Sequence, residues 1–358
     1  MTDLRSILAV HAARYPAMQL MDFVKLIYQN EYGCGHFVDD PKRSFDLLLT
    51  EWAQVVPDLL RPLTEDIGDG FCRLDLRAAR ARGLSPDAVN KLFAKSANAH
   101  QGSDGRFLSK LEVLGCMIGE GALDFALSEL REITAQLQNG GFSPVSHTEA
   151  YRSAYTPAYR VIDARYASYL PLLTRIDALL AEKPRVTVAV DGMCGAGKST
   201  LCDLLSPLYT APVVRMDDFF LPPDLRTSAR LSEPGGNVHY ERFAQEVAPF
   251  IGHNCAFSYG VFDCSVMAIT GRKTINPSPL LIVDGSYCMR PEFQALYDVK
   301  IFMKTPPELQ RARIVSRNGD QLYSDFKYKW IPMENAYFSH FSIKETCDFV
   351  LVDTGGDS

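Results

Sequence analysis

The chain has 358 residues, and at about 150 residues per domain this length predicts roughly two domains. Hydrophobic residues make up 47% of the chain and charged residues 22%, which excludes a wholly disordered protein. The formal net charge is −6, so the chain is a poor general binder of nucleic acid, and we expect no nucleic-acid partner.

The sequence gives no sign of a membrane span or a secretion signal. No apolar stretch reaches the length of about 18 residues that a membrane helix needs. The N-terminal apolar run Ile7–Val10 ends at His11 and is too short for a signal peptide. The nine cysteines form no C-x-x-C pair, and several, such as Cys202 and Cys288, lie in apolar runs. We therefore expect a cytoplasmic protein with reduced cysteines and no membrane partner.

Residues 1–180 are predicted to form a mainly α-helical domain. Apolar residues recur there with the i, i+3, i+4, i+7 spacing of amphipathic helices, and glycine-rich breakers separate the runs. The last run carries Ile162, Tyr166, Tyr169, Leu173, Ile176 and Leu180. The single candidate strand in this half is the segment 71–76.

After Lys183 and Pro184 the pattern changes to alternating strands and helices, which predicts a second domain over residues 184–358. The predicted strands are short apolar runs at 186–190, 213–216, 280–283, 299–303 and 349–352. One helix between them is predicted from about Pro306 to Arg317, with Thr305 as its N-cap. This alternation is typical of an α/β fold, in which helices cover both faces of a parallel sheet.

The strongest signal is the segment GMCGAGKST, which runs from Gly192 to Thr200 and matches G-x-x-x-x-G-K-[ST]. Its glycines let successive backbone N–H groups turn inward around phosphate oxygens, and the following helix presents its positive N-terminus to the same anion. Lys198 can reach the β- and γ-phosphates, and the Ser199 hydroxyl can bind Mg²⁺. The predicted ATP-binding residues are Gly192, Gly195, Ala196, Gly197, Lys198, Ser199 and Thr200.

Carboxylates follow two of the predicted strands, at the sheet edge where ligands bind in open parallel folds. Of Asp217 and Asp218, one could accept the proton of an attacking hydroxyl and the other could help to hold Mg²⁺ through water. Asp284 ends the third strand, where an acid typically contacts Mg²⁺ or its water shell. We predict Ser199 and Asp284 as metal-binding residues, and of Asp217 and Asp218 we predict one as the catalytic base and the other as a further metal-binding residue. A solvated turn or a helix cap is the alternative.

Arginines cluster on the helix that follows the fourth predicted strand. Arg311, Arg313 and Arg317 precede the flexible pair Asn318 and Gly319. Such a segment could fold over the phosphates as a lid and neutralise charge during transfer, and a solvated helix face is the alternative.

Taken together, these motifs resemble the uridine kinase-like group of P-loop kinases over about residues 184–353. The resemblance is carried by the phosphate loop, the segments 216–221 (MDDFFL), 235–243 (GGNVHYERF) and 283–287 (VDGSY), and the arginine helix. It implies a five-stranded parallel sheet, ATP and Mg²⁺, and a small-molecule hydroxyl as the phosphate acceptor. It also implies that Asp217 is the general base and that Arg313 and Arg317 are catalytic lid arginines. The family's third-strand acid is usually Glu, so the shorter Asp284 could bind the metal through water.

The acceptor site departs from the family pattern. His239 stands where uridine kinases carry the Asp that holds ribose hydroxyls, and the aromatic segment 257–263 lies where the family builds its acceptor pocket. We therefore predict His239, Tyr259 and Asp263 as acceptor-binding residues of a kinase whose acceptor is not specified. Core packing is the alternative for Tyr259.

The function of the N-terminal half is not specified by its sequence. His36, His147 and Glu149 could form a metal or anion site if their loops converge. Helices with packed tyrosines are the alternative, and a domain that senses the acceptor or docks a partner is a third.

The interpretation that these patterns favour is an ATP-dependent kinase for a small metabolite. The sequence has neither the N-K-x-D motif of GTPases nor the L-S-G-G-Q motif of transporter ATPases, which favours small-molecule phosphotransfer. The alternative is a nucleotide-gated regulatory protein whose helical half engages a partner. The sequence does not specify whether the chain forms a homo-oligomer.

Overall fold

The computed structural model describes residues 3–33, 40–99, 102–353 and 355. The chain divides into two compact units, Met1–Asp177 and Ala178–Ser358. In the described ranges no helix combines the length and the apolar character that a membrane crossing needs.

The first unit is mainly helical and contains one small sheet. Its helices are α1 (Leu4–Arg14), α2 (Leu20–Tyr32), α3 (Pro41–Gln54), α4 (Leu76–Ala81), α5 (Pro86–Ala99), α6 (Asp104–Gly119), α7 (Leu127–Asn139), α8 (Glu149–Tyr155) and the start of α9 (Leu170–Glu182). Its strands β1 (Thr64–Gly68), β2 (Phe71–Asp75) and β3 (Tyr159–Asp163) form an antiparallel sheet in the order β1-β2-β3. The apolar side of α2 packs against α6 in the core of this unit.

Two of these three strands differ from the sequence-based prediction. Ile162 was expected to begin a helix, but it lies in β3 and pairs with Cys72 of β2. The apolar residues after Ile162 lie in a 3₁₀ segment and then in α9, so the helical spacing that includes Ile162 is a coincidence. In β1 only Ile67 and Gly68 are buried, so that strand has no alternating apolar pattern to detect.

The second unit alternates strands and helices. Its strands are β4 (Val186–Gly192), β5 (Val213–Arg215), β6 (Phe257–Asp263), β7 (Ala268–Ile275), β8 (Leu280–Asp284), β9 (Val299–Lys304) and β10 (Phe349–Val352). Its helices are α10 (Lys198–Tyr209), α11 (Ser228–Ser232), α12 (Tyr240–Glu246), α13 (Pro291–Gln294), α14 (Pro307–Asn318), α15 (Asp320–Asp325) and α16 (Ile331–His340). The N-cap of α14 is Pro306 rather than Thr305, one residue later than predicted.

Five of these strands form one parallel sheet, as predicted. The order is β10-β9-β4-β8-β5, so β4 lies at the centre, and all seven of its residues are buried. The remaining pair, β6 and β7, forms a separate antiparallel hairpin. Because β4, β5 and β8 are parallel neighbours, their carboxyl ends meet at one edge, where Arg215 pairs with Asp284 in the register.

The turn that leaves β4 requires a glycine for steric reasons. Gly192 has φ of +134°, and a Cβ atom there would lie 2.1 Å from the carbonyl oxygen of Met303 on β9. A side chain at this position would push β4 away from β9, so the glycine fixes the start of the phosphate loop against the sheet.

Replacing Gly192 with alanine should destabilise the protein by about 3 kcal/mol or more, because overpacking and an unfavourable φ add. The change is measured as the free energy of unfolding in urea. Gly271→Ala is the matched control, since Gly271 also lies in a strand and a Cβ there meets nothing within 4 Å. Equal effects of the two substitutions would contradict the steric account.

Candidate active site

A cavity of about 730 Å³ lies at the carboxyl edge of the parallel sheet. Its lining contains the phosphate loop from Cys194 to Thr200, together with acidic, basic and aromatic side chains from segments that are far apart in the chain. The acids are Asp217, Asp284 and Glu334; the bases outside the loop are Arg215, Arg226, Arg313 and Arg317; the aromatic residues are Phe220, Tyr287, Phe326 and Trp330.

The phosphate loop has the curled backbone that the motif predicts. Gly195 and Gly197 have φ of +72° and +85°, and α10 begins immediately afterwards at Lys198. The six predicted binding residues from Gly195 to Thr200 all line the cavity. Gly192 does not line it, because this residue is the buried end of β4. The loop can therefore present N–H groups and a helix N-terminus to an anion in the cavity.

Lys198 is folded back onto the loop. Its ammonium group donates hydrogen bonds to the carbonyl oxygens of Gly192 at 2.6 Å and Met193 at 2.9 Å, and to the hydroxyl of Ser286 at 3.1 Å. An arriving phosphate would offer this ammonium group a charged acceptor in place of neutral carbonyls, and charge-assisted hydrogen bonds are the stronger kind.

The neighbouring acids Asp217 and Asp218 have different surroundings. Asp217 is exposed and lines the cavity. Asp218 does not line the cavity; its carboxylate accepts a hydrogen bond from the buried Tyr259 hydroxyl at 3.0 Å. Burial raises the pKa of Asp218, although this hydrogen bond opposes the shift. Of the two acids, the structure therefore brings Asp217 to the loop and places Asp218 in a packed contact outside the cavity.

Asp284 is a buried acid at the end of β8 that also lines the cavity. Its Oδ1 atom has no hydrogen-bond partner among the described residues. Burial raises the pKa of Asp284, and the positive charge of Lys198 acts in the opposite direction. An unpartnered buried carboxylate oxygen is costly unless a ligand satisfies it, so this atom is suited to contact a cation or its water shell.

The two arginines predicted for the lid have separate environments. Arg313 donates to the carbonyl oxygen of Gly195 at 3.0 Å and forms an ion pair with Asp353 at 2.8 Å. Arg317 is exposed at the cavity, and its Nε donates to the side chain of Asn318 at 3.0 Å. Arg313 is thus tied to the loop, whereas Arg317 is the arginine with more freedom to move.

The three residues predicted to bind the acceptor lie outside the cavity lining. The ring of His239 caps α12 by accepting from the backbone N–H of Arg242 at 3.3 Å. Tyr259 is fully buried and packs against Phe219, and the carboxylate of Asp263 accepts hydrogen bonds from Ser265 in the β6–β7 turn. Each of these side chains has a local structural partner.

The residues predicted from the sequence do not include Asn237, Ser286 and Glu334, which are among the polar residues that line the cavity. Asn237 lies two residues before His239, is 2% exposed, and its Oδ1 atom lacks a hydrogen-bond partner in the described structure. Ser286 follows Asp284 by two residues and accepts from Lys198. Glu334 belongs to α16, and no motif in the sequence marks it. Asn237 lies inside the segment 235–243 and Ser286 inside 283–287, both of which carry the family resemblance. Their position in these segments is the signal that could have identified them.

A buried carboxylate beneath the loop connects three segments of the site. The Oδ1 atom of Asp191 accepts from the N–H groups of Gly192 at 2.7 Å and Tyr287 at 3.1 Å. Its Oδ2 atom accepts from the Met289 N–H and the Tyr337 hydroxyl, both at 3.1 Å. The start of the loop, the turn after β8 and helix α16 are therefore held by one side chain.

In the N-terminal unit, the predicted metal or anion site is not assembled in the described residues, where no group of three metal-binding side chains occurs. His147 is buried between the carboxylate of Asp22 at 2.9 Å and the Tyr159 hydroxyl at 2.6 Å, and burial lowers its pKa to about 4. Glu149 is exposed at the start of α8, and His36 lies outside the described residues.

Comparisons with known proteins found distant likenesses to solved kinase structures. No protein-family model matches the sequence, and no curated protein matches it. A protein described as a possible uridine kinase from Bacillus stearothermophilus is 17% identical, with TM-score 0.39, over 50% of this chain and 98% of its own. A protein described as a fructose transport system kinase from Silicibacter sp. TM1040 is 24% identical, with TM-score 0.38, over 47% of this chain and 90% of its own. Shikimate kinase from Bacteroides thetaiotaomicron is 15% identical, with TM-score 0.25, over 47% of this chain and 86% of its own. Likenesses this distant transfer neither a substrate nor a residue's role.

The stability contributed by Asp191 should depend on pH. Burial raises its pKa from 3.8 to about 6, against the opposing effects of Lys198 and its hydrogen-bond donors. A raised pKa in the folded state means that this contribution is present below about pH 4 and is lost as the pH rises through about 6. The unfolding free energy of the wild type, relative to Asp191→Asn, should therefore fall by up to about 3 kcal/mol over that window. Urea unfolding at several pH values measures this difference, and a constant or rising difference would contradict it.

Proposed function

We propose that the protein is an ATP-dependent kinase that transfers the γ-phosphate to a hydroxyl group of a small metabolite. The observation that carries this proposal is the convergence of the phosphate loop, Lys198, Asp217 and Asp284 on one cavity. A nest of N–H groups with a lysine binds the tail of a nucleoside triphosphate, and an acid in the same cavity can receive a hydroxyl proton.

In this proposal the transfer itself needs little covalent help from the protein. The acceptor oxygen bonds to the γ-phosphorus, the bond from that phosphorus to the β–γ bridging oxygen breaks, and ADP leaves. Asp217 orients the acceptor hydroxyl and takes its proton. Lys198 and Arg317 offset the negative charge of the phosphates, so positioning and electrostatics supply most of the rate acceleration.

The residues present fit a magnesium ion bound with the nucleotide. Ser199 offers a hydroxyl at the start of α10, and Asp284 offers the buried oxygen that has no partner among the described residues. Hydroxyl and carboxylate oxygens are ligands that Mg²⁺ accepts, either directly or through water. When bound, the ion would neutralise charge on the phosphates.

The acceptor would occupy the part of the cavity beyond the phosphate loop. Asn237 supplies an unsatisfied buried carbonyl oxygen there, and Tyr287 and Trp330 supply aromatic surface. A site that combines a few placed polar groups with aromatic walls is typical of small-molecule recognition.

The test of this proposal is a phosphorylation screen with the 358-residue chain. Mg²⁺ and ATP are incubated with panels of nucleosides, sugars, vitamins and amino alcohols, and ADP release and the phosphorylated products are measured. Stimulation of ADP release by one acceptor class, with its phosphorylated product, is the expected result. Tight ATP binding without stimulation by any acceptor would instead favour a nucleotide-gated regulatory protein.

With the acceptor found, Asp217→Asn should reduce kcat by about 10²- to 10⁴-fold, because it removes the proton acceptor. ATP affinity should change little, since Asp217 is placed for the acceptor. Asp218→Asn is the matched control, because Asp218 lies outside the cavity lining, and its kcat should stay close to that of the wild type. Near-normal turnover by Asp217→Asn would rule out its role as the base.

Acceptor binding should depend on Asn237 and not on His239. Asn237→Ala should raise the acceptor KM by roughly 10-fold, as expected when a hydrogen bond worth about 1.4 kcal/mol is lost. His239→Ala removes a helix cap outside the cavity and should leave KM nearly unchanged in the folded protein. Steady-state kinetics of both variants measure the contrast, and the reverse pattern would restore the sequence-based prediction for His239.

A further inference from the structure

One carboxylate of the cavity has no role in the proposed phosphoryl transfer. Glu334 lies on α16 and is 6% exposed. Its Oε2 atom accepts a hydrogen bond from the backbone N–H of Cys194 in the phosphate loop at 2.9 Å. Its Oε1 atom accepts from the hydroxyl of Ser286 at 2.7 Å. An acidic side chain is thus bound to the loop that the proposed function assigns to phosphate.

The position of Glu334 is near the terminal-phosphate end of the loop. Ser286 contacts both the Glu334 carboxylate and the Lys198 ammonium group, at 2.7 and 3.1 Å. In this motif the lysine reaches the β- and γ-phosphates, while the backbone N–H groups of the loop hold the α- and β-phosphates. Glu334 is therefore separated by one hydroxyl from the group that would hold the terminal phosphate.

The backbone that carries Glu334 is anchored rather than part of an exposed lid. One turn later, Tyr337 is fully buried and its hydroxyl donates to Asp191 at 3.1 Å. The next residue, Phe338, packs edge-on against Phe302 of β9 at 5.0 Å between ring centres. By contrast, most of the preceding segment 320–330 is exposed. The carboxylate is consequently held beside the loop whether or not the exposed segment moves.

We propose that Glu334 is a specificity-determining residue of the nucleotide site, whose anchored carboxylate weakens the binding of ATP relative to ADP. This proposal rests on the proposed function, which places the terminal phosphate beside Lys198. Like charges that lie near each other disfavour each other, and ADP lacks the phosphate that would lie beside this carboxylate. As the phosphoryl group moves to the acceptor, the repulsion falls, so the carboxylate raises the ground state more than the transition state.

The substitution Glu334→Gln removes the charge while the neighbouring groups can keep hydrogen bonds. The amide oxygen can accept from the N–H of Cys194, and the amide nitrogen can donate to the Ser286 oxygen. The Ser286 hydroxyl then donates to the carbonyl oxygen of Gly192, which lies 2.9 Å away. Glu334→Ala is the second variant, and it removes the charge without relying on that amide arrangement.

The experiment is calorimetric titration of the 358-residue chain with Mg²⁺ and either adenylyl imidodiphosphate, a non-hydrolysable ATP analogue, or ADP. Glu334→Gln should bind the triphosphate analogue about 10-fold more tightly than the wild type does, with ADP affinity nearly unchanged. Glu334→Ala should shift the ratio of the two affinities in the same direction. Glu345→Gln, an exposed glutamate of the same unit outside the cavity lining, is the matched control and should leave the ratio unchanged.

The outcomes separate this proposal from the proposed function. Equal weakening of both nucleotides in the two Glu334 variants would show a structural role and overturn the assignment. An unchanged ratio with normal binding would overturn it as well and leave the kinase proposal standing. Failure of the wild type to bind either nucleotide would overturn the proposed function and the assignment together.

Discussion

The site depends on the buried carboxylate of Asp191, which accepts hydrogen bonds from three separate segments. The loop begins at Gly192, the turn after β8 contains Tyr287, and α16 contributes Tyr337, and each donates to this one side chain. A buried charge is stable only when donors surround it, so these segments and the carboxylate hold one another in place. The contacts that hold the phosphate loop, the turn after β8 and α16 together therefore form without a ligand.

The charged side chains that line the cavity differ in how firmly the structure holds them. Asp284 and Glu334 are buried, and Arg313 is tied to the loop backbone and to Asp353. Asp217 and Arg317 are exposed and face the same cavity. In the proposed kinase this division is useful, because phosphates need a preorganised cradle while the acceptor and the lid need room to move.

The sequence predicted the parallel sheet and the phosphate loop because both leave local signals. A strand buried on both faces, such as β4, is a continuous apolar run, and the loop needs glycines at fixed spacing. Asp217 and Asp218 could not be separated in advance, since adjacent side chains differ only in what packs around them. His239 was predicted as an acceptor residue from its position in the family pattern, whereas Asn237, two residues earlier, lines the cavity.

The remaining differences arise from contacts between distant segments. Glu334 reaches Cys194 across 140 positions of the chain, and it lies on a helix that follows an irregular π-helical turn at Phe326–Trp330. No spacing rule connects such residues. Strand β3 was missed for the related reason that its pairing with β2 joins positions separated by about half of the first unit. Local pattern therefore predicts elements and motifs, and tertiary packing decides which of their side chains meet.

A structure of the 358-residue chain with Mg²⁺ and a non-hydrolysable ATP analogue would test the central claim most directly. The account predicts that the phosphates lie on the backbone N–H groups of residues 195–200. It also predicts that the Lys198 ammonium group has moved from the Gly192 carbonyl to a phosphate oxygen, with Asp217 facing the same cavity. An analogue bound elsewhere, or a Lys198 that stays on the loop while the nucleotide is bound, would contradict the account.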